Sequence, residues 1–181
     1  MNLPNRLTLA RILLVPVFLT VVTLQVPYGN YIALALFLFG AGTDALDGYL
    51  ARKHRQETRW GKLMDPLADK LLVSAALISL VELGRIPGWV AMIIIGRELA
   101  VTGLRTFLAG EGTVIPASFL GKIKTVTQIV AIAALFLQPV PDHPAAFSFG
   151  NLAMTAAVVL TVWSGVDYFT LWWSQIKEGD D

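Results

Sequence analysis

Eight positions between Asp44 and Asp69 carry residue types on which chemistry could be built: Asp44, Asp47, Gly48, Ala51, Arg52, Gly61, Asp65 and Asp69, spaced D-x2-D-G-x2-A-R-x8-G-x3-D-x3-D. The surrounding sequence is strongly apolar, and an ionised carboxylate at membrane depth costs at least a few kcal/mol unless something neutralises it. Oxygen ligands without histidine or cysteine select hard cations, Mg²⁺ or Mn²⁺ rather than zinc, and four carboxylates formally balance two divalent ions. Such a pair of cations clamps the attacking and leaving oxygens of an in-line phosphoryl displacement. Gly48 and Gly61, with Ala51, would let a planar base or a sugar approach the backbone closely. Small residues also mediate helix packing in membranes, so each is weaker evidence alone.

The elements that must hold these residues are membrane helices. Hydrophobic residues make up 55% of the 181-residue chain and charged residues 15%, with a mean hydropathy of +0.64. Apolar stretches near the length of a bilayer crossing, about 20 residues, follow one another. The expected fold is all-α and polytopic, a single domain over 1–181 with six transmembrane helices. The spans run from Leu9 to Leu24, Tyr31 to Leu50, Leu63 to Leu83, Gly88 to Leu108, Phe119 to Leu137 and Phe147 to Trp172. Pro16 predicts a short interfacial helix over Pro4 to Val15, followed by a bend into the membrane. Asp44, Asp47, Gly48, Ala51 and Arg55 recur at i, i+3, i+4, i+7 and i+11, one face of the second span. Gly61, Asp65 and Asp69 share a face of the third. Pro66 is expected in the first turn of that helix, capped by Asp65.

Charge sets the orientation. Arg52, Lys53, Arg55, Arg59 and Lys62 join spans two and three, Lys122 and Lys124 lie between four and five, and Arg6, Arg11 and Lys177 occupy the ends. Only Arg85 is basic on the other side. The positive-inside rule then puts both termini and the 52–62 loop in the cytoplasm of a multi-pass cell-membrane protein. The Arg52-Lys-His-Arg run is accounted for as a topology signal, so no nucleic-acid partner is expected. A signal peptide is disfavoured because Val15 to Val26 offers no small-residue cleavage site and further spans follow. With no cysteine, disulfides and thiolate chemistry are excluded, and two distant histidines argue against zinc.

The residues from Asp44 through Asp69 match at every specified position the signature of the CDP-alcohol phosphatidyltransferases, and the chain resembles that family. The segments starting at Asn2, Gly61, Gly96 and Gly121 (Gly121-Lys-Ile-Lys-Thr among them) look like the bacterial branch that makes phosphatidylglycerol phosphate. The resemblance implies six membrane helices, a homodimer, two divalent cations and a reaction of CDP-diacylglycerol with sn-glycerol 3-phosphate. It implies that Asp44, Asp47 and Asp65 hold one cation and that Asp44, Asp65 and Asp69 hold the second. Asp69 is also the implied general base. Asp44, Asp47, Gly48, Ala51, Arg52 and Gly61 would bind CDP-diacylglycerol, although Arg52 fits equally well as an ion-pair partner of the acids.

A phosphorylated acceptor needs further positive charge. Arg97 and Arg105, at i and i+8, lie on one face of the fourth span, and Lys122 and Lys124 begin the fifth. An arginine fork suits bidentate phosphate contact, whereas lysine supplies a point charge. Snorkelling to the interface would account for Arg105, Lys122 and Lys124 as well, and Arg97 could instead pair internally with an acid such as Glu98. Asn5, Thr8 and Arg11 could touch the diphosphate, or could serve capping and topology. A cation transporter is the contrasting class, but it should show a polar path across the bilayer, and here the acids crowd one side. A related transferase using inositol phosphate or serine is the runner-up within the enzyme class.

Overall fold

The computed structural model describes residues 3–54, 59–110, 119–138 and 149–179. They form six helices: α1 Leu3–Thr23, α2 Gly29–His54, α3 Arg59–Glu82, α4 Gly88–Gly110, α5 Phe119–Leu137 and α6 Phe149–Gly179. No strand occurs among the described residues. Each expected span falls on one helix, and α2 and α3 run further into the basic segment than expected. Their polar ends shorten the 52–62 loop, and Arg55 lies outside the described residues.

Two proline expectations are corrected. α1 is one helix through Pro16, rather than an interfacial helix followed by a separate membrane segment. The Thr20 hydroxyl donates to the Pro16 carbonyl at 2.8 Å within that unbroken helix. α3 begins at Arg59, so Pro66 lies inside it and Asp65 does not cap it. A proline in a helix interior loses one backbone hydrogen bond, a local cost that packing of a long apolar helix offsets.

One of the turns has a clear local cause. Gly84 adopts φ 68° after α3, its N–H bonds to the Val81 carbonyl, and the Arg85 N–H reaches back to Leu80, both at 2.9 Å. That is the Schellman arrangement, which uses glycine because the left-handed region penalises a Cβ. Between α1 and α2, Gln25 and Tyr28 enter the same region without being glycine, at φ 46° and 60°.

α3 sits at the centre, packed on α1, α2, α4 and α5, while α6 closes the bundle against α4 and α5. The main core joins Phe18, Phe37, Leu77, Ile94, Ile132 and Phe136. Phe18 and Phe136 meet edge to face at 5.8 Å. Gly40 lets α2 approach its neighbours: a Cβ there would lie 2.4 Å from Leu72 Cδ2 and 3.0 Å from Leu14 Cδ2.

Large apolar side chains also face outward on every helix. Leu13, Phe39, Ile78, Met92, Val126 and Trp163, one from each helix, are all more than half exposed. A soluble monomer rarely leaves so much apolar surface open, whereas a bilayer covers it without cost. Among the described residues, Phe119–Leu137 and Phe149–Thr170 are long and apolar enough to cross a membrane, and Thr8–Thr23 and Gly29–Thr43 are shorter apolar helices. The chain is a membrane protein.

Candidate active site

α2 carries Asp44, Asp47, Gly48, Ala51 and Arg52, and α3 carries Gly61, Asp65 and Asp69. Their helical positions are described; their side chains lie outside the described residues. The two helices pack on each other. At a rise of about 1.5 Å per residue, Asp44 and Asp69 each stand about 15 Å along their helices from the α2–α3 connection, which puts them level. The four positions thus lie on two packed neighbouring helices, and aspartates offer only oxygen ligands, the type that suits hard divalent cations. Among the described residues no three acidic or histidine side chains gather.

Next to Asp69, Lys70 opens a charged cluster that spans α3, α4 and α5. Glu98 is buried, and its carboxylate forms ion pairs with three cations. Lys70 Nζ lies 2.8 Å from Oε2, Lys124 Nζ bonds Oε1, and Arg97 Nη1 stands 3.6 Å from Oε1. Arg97 also reaches α6. Its Nη2 donates to the Ser164 hydroxyl at 3.0 Å, and its guanidinium lies 5.6 Å from the centre of the Tyr168 ring. Gly165 makes room for this arm, since a Cβ there would come within 3.2 Å of Arg97 Cγ.

Glu98 thus gathers cations from three helices, α3, α4 and α5, into one buried cluster. An open cleft of about 870 Å³ runs beside the cluster, lined by Lys70, Arg97, Arg105, Lys122, Lys124 and Tyr168 among others. All four basic residues expected around an acceptor phosphate therefore border one space. They divide in character: Arg97 and Lys124 are tied to Glu98, as the internal-pair alternative for Arg97 has it, while Arg105 and Lys122 are exposed.

Sequence reasoning missed Lys70 and Gln128. Lys70 follows Asp69 directly, which was the available signal; Gln128 repeats Lys124 after one helical turn. Both border a second, adjoining cavity with Arg11, Glu98 and Lys124 at its polar edge and Phe37 and Ile132 on its apolar side. Thr8 and Arg11, read from sequence as headgroup contacts or as cap and topology residues, are both buried in the structure. The side chain of Asn5 lies outside the described residues.

Comparison with known proteins gives the family. A model of the CDP-alcohol phosphatidyltransferase family matches residues 1–163. A CDP-diacylglycerol–glycerol-3-phosphate 3-phosphatidyltransferase of Bacillus subtilis (strain 168) is 46% identical over 97% of both chains. A probable phosphatidylglycerophosphate synthase of Mycobacterium tuberculosis (strain ATCC 25618 / H37Rv) is 46% identical over 92% of this chain and 79% of its own. A Rickettsia bellii (strain RML369-C) protein with the same name as the Bacillus one is 37% identical over 93% of both.

Proposed function

The chain belongs to the CDP-alcohol phosphatidyltransferase family, and from that premise we propose that it transfers the phosphatidyl group of CDP-diacylglycerol to sn-glycerol 3-phosphate. The products are phosphatidylglycerol phosphate and CMP. One observation carries the choice of a phosphorylated acceptor: Lys70, Arg97, Arg105, Lys122 and Lys124 border a single cleft beside the helix that bears Asp69.

In this reading Asp44, Asp47 and Asp65 hold one divalent cation, Mg²⁺ or Mn²⁺, and Asp44, Asp65 and Asp69 hold the other. When bound, the two cations supply Lewis-acid polarisation of the reacting phosphate and neutralise its charge. The chain's own residues do the rest. Gly48, Ala51 and Gly61 leave room for the cytidine, and Arg52 faces the diphosphate or braces the acids. Arg105 and Lys122 draw the acceptor phosphate into the cleft, beside the cations that Glu98 anchors. The acceptor's primary hydroxyl gives its proton to Asp69 as its oxygen bonds to the lipid-linked phosphorus. The bond from that phosphorus to the CMP oxygen breaks, and CMP leaves. Proton abstraction requires only that the carboxylate lie within hydrogen-bond reach of the hydroxyl.

All six helices span the membrane, the 1–181 chain acts as one domain, and the aspartates open to the cytoplasm. The apolar exterior on every helix supports the spans, and the basic connections support the orientation. The chain has no cysteine, so an impermeant thiol reagent should label a cysteine at Asn30 only from outside. Labelling from the cytoplasm would invert the orientation. Assembly is as a homodimer, which light scattering in detergent measures.

Radiolabelled CDP-diacylglycerol offered with glycerol 3-phosphate, inositol phosphate and serine in parallel tests the reaction. Transfer to glycerol 3-phosphate above the others is expected. Preference for another acceptor would overturn the acceptor assignment, and transfer to none would overturn the transferase reading.

A further inference from the structure

The cavity beside the cleft contains a polar group that no step above uses. Gln128 lies on α5 one turn beyond Lys124, borders this cavity, and is 4% exposed. Its Nε2 is buried with no hydrogen-bond partner. A buried amide left unpaired is expensive and calls for an explanation, and a half-turn of the side-chain amide brings either of its polar atoms to the cavity side.

The location gives that explanation. Lys70, Glu98, Lys124 and Thr125 border both the cavity and the cationic cleft, so the two spaces meet at the Glu98 cluster. On the other side the cavity is bordered by Gly40 and Ala41, in the turn of α2 just ahead of Asp44. Lys124 joins through Glu98 to Lys70, the neighbour of Asp69 in sequence, so Gln128 stands one helical turn further along the bundle than that cluster, on the wall of the cavity that opens from it. The step from Lys124 to Gln128 is one helical turn, about 5.4 Å, which a three-carbon polyol bridges.

We propose that Gln128 is a specificity-determining residue whose side-chain amide hydrogen-bonds the acceptor's secondary hydroxyl, the one that does not react. The acceptor class is then a polyol phosphate with a hydroxyl beside the attacking one. This rests on the reading of glycerol 3-phosphate as acceptor. A site built to pair a hydroxyl rejects an analogue without it, because its own polar group is then stranded.

The test compares glycerol 3-phosphate with 3-hydroxypropyl phosphate, which keeps the phosphate, the carbon chain and the attacking hydroxyl but lacks the secondary one. Initial rates with full-length protein in detergent micelles give kcat/KM for each acceptor. Wild type should prefer glycerol 3-phosphate at least tenfold. Gln128→Leu should cut that preference at least tenfold, with the loss falling on glycerol 3-phosphate. Gln128→Met, unbranched and apolar, takes its place if the leucine variant fails to fold. An equal loss with both acceptors would assign Gln128 a packing role and overturn the proposal, as would an undiminished preference in the variant or no preference in wild type. Wild type that transfers to neither compound would instead sink the acceptor reading on which the proposal stands.

Discussion

Where α3 turns into α4, Arg85 donates Nη1 to the Leu135 carbonyl and keeps Nε and Nη2 buried without partners. Toward the other end of the bundle, Arg97, Lys70 and Lys124 surround Glu98. Both places hold buried positive charge, yet they do different work. Leu135 lies in the last turn of α5, where carbonyls have no partner within the helix, and a guanidinium there completes the helix end and meets its negative pole. Burial lowers the Arg85 pKa from its ordinary value, but a guanidinium remains protonated. One cation on one helix end is a clamp. Three cations around one carboxylate border an open cleft beside the aspartate helices, which is where the proposed function puts the acceptor's phosphate. Charge alone does not mark function; its place next to a space that admits a ligand does.

The sharpest break of that comparison comes from the aspartates. Asp44→Asn, Asp65→Asn and Asp69→Asn should each lower the rate of CMP release on the order of 10³-fold or more, through lost electrostatic stabilisation, while leaving a folded protein. Chelation should do the same to wild type, and Mg²⁺ or Mn²⁺ should restore it. Full activity in a stringently metal-free preparation would eliminate the two-cation reading. Next in size is Glu98→Leu, which strands buried cations and should cost about 3–5 kcal/mol of stability, as the loss of one partner in a buried ion pair does. Thermal unfolding in detergent reads this, and an unchanged midpoint would mean that Glu98 is not the anchor of the cluster. Smallest is Arg85→Gln, expected to cost about 1 kcal/mol for one hydrogen bond. Its kcat/KM with both substrates should stay at the wild-type value; a selective loss for either would make the clamp part of the site.

Much of the bundle was legible because an apolar run of helix length leaves few alternatives in a membrane protein. The span expected from Phe119 to Leu137 is α5 itself. The ends of α2 and α3 were less legible, because arginine and lysine favour helix and carry it past the apolar stretch. Pro16 and Pro66 misled for the opposite reason: their local rules are real, and the long helices override them. The aspartate spacing could be read because it lies within two neighbouring helices. Lys124 meeting Glu98 could not, since those residues are 26 apart in sequence and join only through packing. Gln128 was invisible for the same reason, as nothing local says that its amide lacks a partner.

The central claim is that the cationic cleft reads the acceptor's phosphate, and Arg105→Ala tests it most directly. Arg105 is exposed at the cleft, so its loss should spare the fold. Initial rates are measured with each substrate varied in turn. Loss of a charged hydrogen bond of about 2 kcal/mol should raise the apparent KM for glycerol 3-phosphate roughly 30-fold and leave that for CDP-diacylglycerol near its wild-type value. An unchanged response to glycerol 3-phosphate, or an equal change with both substrates, would contradict the account.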